Sequence, residues 1–255
     1  MKRTDAILVK TPAQLAGCRT AGEKAADVLR VMCGAVRPGM STKQLDDLAR
    51  DTMAALGCSS ADFGYYGYPG QTCISVNEAV IHGVPKSGVV IRDGDLVSID
   101  ITVKFEGFVG DNARTVIVGE GTPQKRAFVE WTEDALRAGI AAAKAGNRVG
   151  DISHAVELVA NAHRLGIVRE YVGHGCGIEM HEGPEIPNYG APRRGPVLRE
   201  GMVICIEPML TLGSRRIKTL KDGWTVVTAD GSLACHSEQM VAITASGPAE
   251  ILTPR

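Results

Sequence analysis

The chain has 255 residues, of which 44% are hydrophobic, and a formal net charge of −1. This length is enough for one large domain or two small ones, and the balanced charge argues against a dominant electrostatic surface for nucleic acid or membranes. Seven scattered cysteines without a C-x-x-C pair argue against a disulfide framework and a cysteine zinc site, and the N-terminus lacks an apolar run of signal-peptide or membrane-span length, so we expect a cytoplasmic protein with reduced thiols.

Capping signals predict two pairs of helices. Thr11-Pro12 and Ser41 open the first pair, and each is followed three residues later by a glutamine, as in a capping box. Thr122-Pro123 opens the third helix, and Asp151 is the expected N-cap of the fourth. Strands are predicted after each pair, so the chain repeats one order of elements.

This repetition predicts an internal duplication with a pseudo-two-fold axis. We expect half-repeats at about residues 11–120 and 121–245. No low-complexity linker separates them, so we predict a single domain over residues 1–255. A site shared between the two halves would be a natural consequence.

The stretch from Leu96 to Gly119 predicts a β-hairpin with Glu106-Gly107 at its turn. Such a turn pairs Thr102 with Asp111, which places Asp100 and Asp111 diagonally on one face. Two carboxylates roughly 7–8 Å apart at the backbone suit a cation site, whereas without a counter-charge they would be costly. From the hairpin alone, an alternative remains open: Asp100 is solvated, Asp111 begins a loop, and a one-residue slip separates their faces.

Three further side chains could join these aspartates. His174 lies between glycines in GHGCG, Glu207 follows the apolar strand Met202 to Ile206, and Glu238 precedes another apolar strand. Each alone is as well explained by a structural or solvated role. Together with the aspartates they make four carboxylates and one imidazole, a set that suits two hard or borderline divalent ions better than one zinc ion.

Two other histidines, His82 and His181, lie in loops close to glycine. The spacing between His174 and His181 does not match common zinc motifs, so we do not expect both to be ligands. An imidazole can polarise an amide carbonyl or assist a leaving amine, and a purely structural role remains equally open for each histidine.

From about Thr11 to Ile243 the chain resembles the type I methionine aminopeptidases, metallopeptidases of the pita-bread fold. Only 25 residues lie between His181 and Glu207, which leaves no room for the type II insertion. The matching segments are YGYPGQTCISVNEAVIHGVP, SIDITVKFEGFVGDNAR, YVGHGCGIEMHEGPEIPNY, GMVICIEP, KDGWTVVTADGSL and the strand that begins near Glu238.

The resemblance implies an α+β architecture, with helices outside a curved antiparallel sheet, and assigns roles to the side chains. It implies removal of the initiator methionine by a hydroxide shared between two ions of Mn, Fe, Co or Zn, with Glu207 as the proton shuttle. The implied ligands are Asp100, Asp111, His174, Glu207 and Glu238, of which Asp111 and Glu238 bridge the ions. The implied substrate contacts are Tyr65, Tyr68, Cys73, His82, Met180, His181 and Trp224.

The expected partners are N-terminal methionines of peptides and nascent proteins, with the ribosome as a candidate, and we expect a monomer. Several neighbours depart from the family pattern: Asp62 replaces a pocket cysteine, Met180 replaces a phenylalanine, and His236 stands where relatives have glutamine. These changes bear on metal preference and pocket shape. Two alternatives stay open: an X-Pro peptidase of the same fold, which usually has an extra N-terminal domain, and a non-catalytic peptide-binding module.

Overall fold

The computed structural model describes residues 5–255, so the first four residues of the predicted domain lie outside it. No helix in the described range is long and apolar enough to cross a membrane. The described residues form four α-helices: α1 (Pro12–Ala35), α2 (Thr42–Ala55), α3 (Pro123–Ala142) and α4 (Val149–Ala162).

Strands and one 3-10 turn (Tyr65–Gly67) complete the described secondary structure. The strands of the first half are β1 (Ser59–Ser60), β2 (Cys73–Val76), β3 (Ala79–Ile81), β4 (Leu96–Phe105) and β5 (Phe108–Ile117). Those of the second half are β6 (Gly166–Ile167), β7 (Gly173–Gly175), β8 (Glu182–Ile186), β9 (Val203–Ile206), β10 (Met209–Thr211), β11 (Ile217–Thr219), β12 (Val226–Thr228), β13 (Ala234–His236), β14 (Glu238–Ala242) and β15 (Glu250–Ile251).

The helix starts follow the capping signals, with one exception. Thr11 and Ser41 each complete a capping box at the N-terminus of α1 and α2. The prediction that Asp151 is the N-cap of α4 is wrong. The helix begins at Val149, two residues before Asp151, and the extended residue Arg148 is its N-cap. The Asp151 carboxylate instead accepts a hydrogen bond from the Arg148 amide at 2.7 Å, which is the return half of a capping box.

A nine-stranded antiparallel sheet forms the centre of the molecule. Its strands run in the order β1-β4-β5-β14-β9-β7-β8, with β2 added to β4 and β15 to β14. The hairpin has the predicted register, with Asp100 opposite Ala113 and Thr102 opposite Asp111. Both turn residues have positive φ, 49° at Glu106 and 85° at Gly107, as a two-residue hairpin of type I′ requires.

The helices cover one face of this sheet and leave the other to the candidate site. Odd-numbered residues of β4, such as Ile99 and Val103, pack with α1 and α2 in one apolar cluster. In the second half, Ile204 and Ile206 of β9 pack with α3 and α4. Because side chains alternate along a strand, Asp100 and Thr102 point away from the helices.

Hydrogen bonds in the two halves match at a constant spacing. Ser41 bridges Val90, and the residues 107 positions later, Arg148 and Val197, form the same bridge. The pairing of β1 with β4 recurs, again after 107 positions, in the pairing of β6 with β10. These repeated contacts support the predicted duplication, whose boundaries stay a prediction.

Candidate metal centre and substrate pocket

Asp100 and Asp111 project from the β4–β5 hairpin to the face that the helices leave open. Asp111 is 4% exposed, and Asp100 is partly buried. The Thr102 hydroxyl lies directly across the ladder and donates to Asp111 Oδ1 at 3.1 Å. This bond fixes one carboxylate oxygen and leaves the other directed at the second half of the molecule.

His174 reaches the same place from β7, between two glycines that have no room for a side chain. A Cβ on Gly173 would lie 2.4 Å from the Cys205 carbonyl oxygen, and one on Gly175 would lie 2.2 Å from that of Gly183. The His174 ring donates from Nδ1 to the Gly175 carbonyl at 2.9 Å. Its Nε2 therefore carries the lone pair, 3.4 Å from Glu207 Oε1.

The two glutamates come from neighbouring strands of the second half. Glu207 directly follows β9, and Pro208 separates it from β10. The Asn188 side-chain amide donates a hydrogen bond to the Glu207 carbonyl at 3.0 Å. Glu238 is 2% exposed and is the first residue of β14, not the residue before the strand. Among the described residues, Glu238 Oε1 has no hydrogen-bond partner.

This donor set is suited to divalent cations. Donor atoms of Asp111, His174, Cys205 and Glu238 all lie within 4.8 Å of one another. Burial, with Glu207 nearby, raises the pKa of Asp111 to about 8, and burial raises the pKa of Glu207 to about 7. Buried carboxylates this close repel one another, and a cation would repay that cost. The unpartnered oxygen of Glu238 indicates the same.

Two cysteines, Cys176 and Cys205, lie beside this cluster but were not predicted as ligands. Burial raises the pKa of the Cys205 thiol well above its usual range, so the protonated form is favoured. Both thiols also pack in an apolar cluster with Cys18 and Met240. We therefore treat them as apolar support for the neighbouring ligands.

A cavity of about 320 Å³ opens above the carboxylates, and it brings together all twelve side chains that sequence reasoning selected. Five of these are the expected ligands, and the other seven line the wall or mouth. Their individual roles stay predictions at this point. The seven are Tyr65, Tyr68, Cys73, His82, Met180, His181 and Trp224.

The aromatic wall is organised around His82 and His181. The His82 ring stands edge-on to Tyr171 and Trp224, and burial lowers its pKa to about 4. His181 Nδ1 lies 2.8 Å from the Tyr65 hydroxyl, and the His181 ring is 4.4 Å from that of His174. Both imidazoles are thus held by ring contacts beside the carboxylates.

Several lining residues were not selected from the sequence for the site. Thr102 and Tyr171 lie inside the matching segments, and a search for donors opposite Asp111 in the hairpin would have selected Thr102. Asp62 accepts a long hydrogen bond from the Thr102 amide at 3.4 Å, and burial raises its pKa well above the usual range. The remaining lining residues are Tyr66, Ile81, Glu170, Val172, Glu185 and His236.

A model of metallopeptidase family M24 matches residues 16–245, which include every side chain of the cavity. The chain belongs to metallopeptidase family M24. This M24 chain is 44% identical to methionine aminopeptidase 1 of Bacillus subtilis (strain 168), over 94% of this chain and 97% of that protein. It is 46% identical to the methionine aminopeptidase of Treponema pallidum (strain Nichols), over 97% and 96%.

Solved structures agree with this placement in M24. The crystal structure of methionine aminopeptidase from Thermotoga maritima superposes with a TM-score of 0.95 at 41% identity, covering 98% of this chain and 100% of that one. Prolidase from Pyrococcus furiosus shares the fold, with a TM-score of 0.78 at 24% identity, and its match covers 66% of that chain. The predicted pita-bread fold and the resemblance to methionine aminopeptidases are confirmed. Membership of M24 implies that the chain binds divalent metal.

Proposed function

We propose that this M24 enzyme hydrolyses the peptide bond after an N-terminal methionine, at the cavity floor formed by Asp100, Asp111, His174, Glu207 and Glu238. The convergence of these buried donors below an aromatic and apolar cavity is the observation that carries the proposal. The full-length similarity to methionine aminopeptidases supports the substrate, since these relatives are 40–46% identical to the chain.

The five donors would hold two divalent ions, with Asp111 and Glu238 as the shared ligands. When bound, such ions supply positive charge that acidifies water and polarises the scissile carbonyl. Glu238 pairs with Ala113 where β14 meets β5, at the junction of the two halves. This central position supports its assignment as a shared ligand. Carboxylates with one imidazole accept Mn, Fe, Co or Zn, and we propose an ion from this group.

Glu207 is the group that we propose to move the proton. It lies against His174, and burial raises its pKa to about 7 in the metal-free chain. A carboxylate at the floor of the cavity can accept a proton from the attacking water as general base and then donate it to the leaving amine as general acid. Both transfers use the same side chain, so loss of its ionisable group should stop turnover.

His82 and His181 are proposed to contact the peptide at the scissile bond. Because burial lowers the pKa of His82 to about 4, its ring is neutral at pH 7 and can hydrogen-bond near the new N-terminus. When the Tyr65 hydroxyl donates to His181 Nδ1, Nε2 carries the ring hydrogen and can donate to the carbonyl oxygen.

The methionine side chain is proposed to occupy the wall formed by Tyr68, Cys73, Met180 and Trp224. Tyr68, Cys73 and Met180 are each at most 5% exposed, and Tyr68 meets Trp224 edge-on with ring centroids 5.2 Å apart. Aromatic and sulfur-containing walls suit a flexible, polarizable thioether. The proposed setting is a cytoplasmic monomer acting on newly made proteins, with the ribosome as a candidate partner.

The test is an assay of metal-stripped enzyme on Met-Ala-Ser, Met-Leu and Ala-Pro peptides, with Mn, Fe, Co and Zn restored one at a time. We expect no cleavage without metal, and with metal rapid release of methionine from Met-Ala-Ser but not Ala-Pro cleavage. Rapid cleavage of Ala-Pro with none of Met-Ala-Ser would indicate an X-Pro peptidase. Failure to bind any divalent ion would indicate a binding module.

A further inference from the structure

His236 is a buried imidazole at the metal centre that the mechanism above does not use. It is 2% exposed, lines the cavity floor, and is the last residue of β13. Its Nε2 is buried and has no hydrogen-bond partner among the described residues. A buried ring nitrogen is normally satisfied, so this atom requires an explanation.

The duplication gives His236 a counterpart, and that counterpart is an expected ligand. In the first half, Asp111 lies opposite Thr102 in the ladder between β4 and β5. Met209 is 107 positions after Thr102, and the residue opposite Met209 is His236. His236 therefore occupies in the second half the place that Asp111 occupies in the first.

The same relation holds for the neighbouring carboxylates. Glu207 is 107 positions after Asp100, so each half places a glutamate or aspartate two residues before the ladder position just described. In the first half the diagonal partner of Asp100 is Asp111, and in the second half the diagonal partner of Glu207 is His236. The two halves thus direct corresponding pairs of donors to one site.

Distances at Glu207 fit shared coordination better than a hydrogen bond. His236 Nε2 lies 3.6 Å from Glu207 Oε2, and His174 Nε2 lies 3.4 Å from Glu207 Oε1. A separation of 3.6 Å is too long for a nitrogen-to-oxygen hydrogen bond. Two donors that each lie about 2.1 Å from one ion, at an angle of 110–120°, are roughly 3.4–3.6 Å apart.

The backbone of His236 is held firmly enough for a ligand. The Thr115 hydroxyl donates to the His236 carbonyl at 2.8 Å and accepts from the His236 amide at 3.0 Å. Ser98 lies 2.7 Å from the same hydroxyl. Because β13 is tied to the hairpin in this way, the backbone that carries the ring is positioned before any ion binds.

We propose that His236 Nε2 binds metal as a second imidazole ligand, beside His174, in a centre of four carboxylates and two histidines. This inference rests on the proposed function, since it adds a ligand to the same site. A second nitrogen donor makes the centre more favourable for Zn, Co and Fe relative to Mn, because imidazole suits those ions and carboxylate oxygens suit Mn.

Pulsed EPR of metal-stripped enzyme loaded with Mn²⁺ tests the proposal, because it detects the ¹⁴N nuclei of imidazoles bound to the ion. We expect two coupled imidazoles in the wild type and one in His236→Gln. His163→Gln is the matched control, since His163 is exposed at the end of α4 and stacks on Trp131. That variant should keep both signals.

Affinity for Co²⁺, measured by calorimetry, gives an independent readout. We expect about tenfold weaker Co²⁺ binding in His236→Gln and a smaller loss for Mn²⁺. One coupled imidazole in the wild type, unchanged in His236→Gln, would overturn the proposal and leave the proposed function intact. A wild-type spectrum with one coupled imidazole overturns the proposal even if the variant fails to fold, and two couplings that persist in His236→Gln would overturn it as well, because another histidine would then be the second ligand. A wild-type enzyme that binds no divalent ion would overturn the proposed function, and this inference with it.

Discussion

The two halves of the molecule contain corresponding strand pairs, one with a continuous strand and one with an interrupted strand. In the first half, β4 is unbroken and pairs with β5 over its whole length, from Leu96 to Phe105. In the second half, the corresponding strand is divided into β9 and β10 at Glu207 and Pro208, because proline has no amide hydrogen for the ladder. The amide of Ser237, the residue between β13 and β14, still donates to the Pro208 carbonyl at 3.3 Å. The interrupted strand therefore stays attached to its neighbour at the break.

This difference shows that a duplicated scaffold can supply unlike donors at like positions. The first half directs oxygen donors alone to the site, through Asp100 and Asp111, and holds Asp111 with the Thr102 hydroxyl. The second half places Glu207 and His236 at the corresponding positions, where Met209 replaces the hydroxyl. Ligands fixed by a continuous hairpin are therefore combined with ligands on an interrupted strand.

The largest expected effect concerns the proton-transferring side chain of the interrupted strand. Glu207→Gln should lower kcat by about 10³-fold or more, because an amide cannot accept and return a proton. Steady-state assays on Met-Ala-Ser with metal content measured in parallel separate this loss from loss of the ions. Glu120→Gln, at an exposed position, is the matched control and should be unaffected. Retention of most activity in Glu207→Gln would show that the proton moves through another group.

The second effect concerns a buried salt bridge that joins Lys10, which precedes α1, to Glu182 in the second half. Lys10 forms a buried salt bridge with Glu182, whose other oxygen accepts from the Ile178 and Glu179 amides and holds the loop that carries His181. Lys10→Met should lower the free energy of unfolding by about 3 kcal/mol, because it leaves a buried carboxylate without its cation. Urea denaturation measures this loss.

The double variant Lys10→Met/Glu182→Gln tests the reason for that loss. Removing the second charge should recover part of the stability, since no unpaired ion then remains buried. The stability loss of the double variant is compared with the losses of Lys10→Met and Glu182→Gln. If it equals the sum of the two single losses, the two side chains act independently, and the explanation is wrong.

The third effect is on pH dependence and compares metal-free with metal-loaded enzyme. The folded-state pKa values of Asp111 and Glu207, about 8 and about 7, lie above the ordinary values of 3.8 and 4.5 for these side chains. The folded chain therefore binds more protons than the unfolded chain between these limits, and the free energy of unfolding falls as pH rises.

Denaturation of the metal-free protein should accordingly show a loss of several kcal/mol, at most about 6 kcal/mol, between pH 5 and pH 8. A saturating divalent ion should reverse the trend, because it binds the deprotonated carboxylates, and competition from protons weakens this binding as the pH falls from 8 to 5. Equal stability of the metal-free protein at both pH values would contradict the raised pKa values of the buried carboxylates.

The smallest effect tests the hydroxyl that only the first half possesses. Thr102→Val should weaken metal binding by about tenfold, because Asp111 Oδ1 loses its hydrogen-bond donor. Thr102→Ser keeps the donor and is the matched control. Calorimetric titration with Co²⁺ compares the two, and equal affinities would show that the hydrogen bond does not position the ligand.

Local rules were sufficient for the hairpin and for most helix starts. Alternation along a strand and a two-residue turn determine that Asp100 and Asp111 share a face, because both depend only on neighbouring residues. The position of α4 was less accessible, since its start depends on the bridge between Arg148 and the distant Val197. The assembly of five ligands came from motif resemblance, because spacing alone left each one open.

By itself, the sequence determined the identity and order of the five expected ligands. It also determined that Asp100 and Asp111 share one face of the hairpin, and it determined the family. Only the tertiary structure decided that β10 pairs with β13, which places His236 beside Glu207 and makes it the counterpart of Asp111. The physical reason is that β10 and β13 are some twenty residues apart in the chain. Packing over the whole sheet, and not local propensity, determines that two such strands pair.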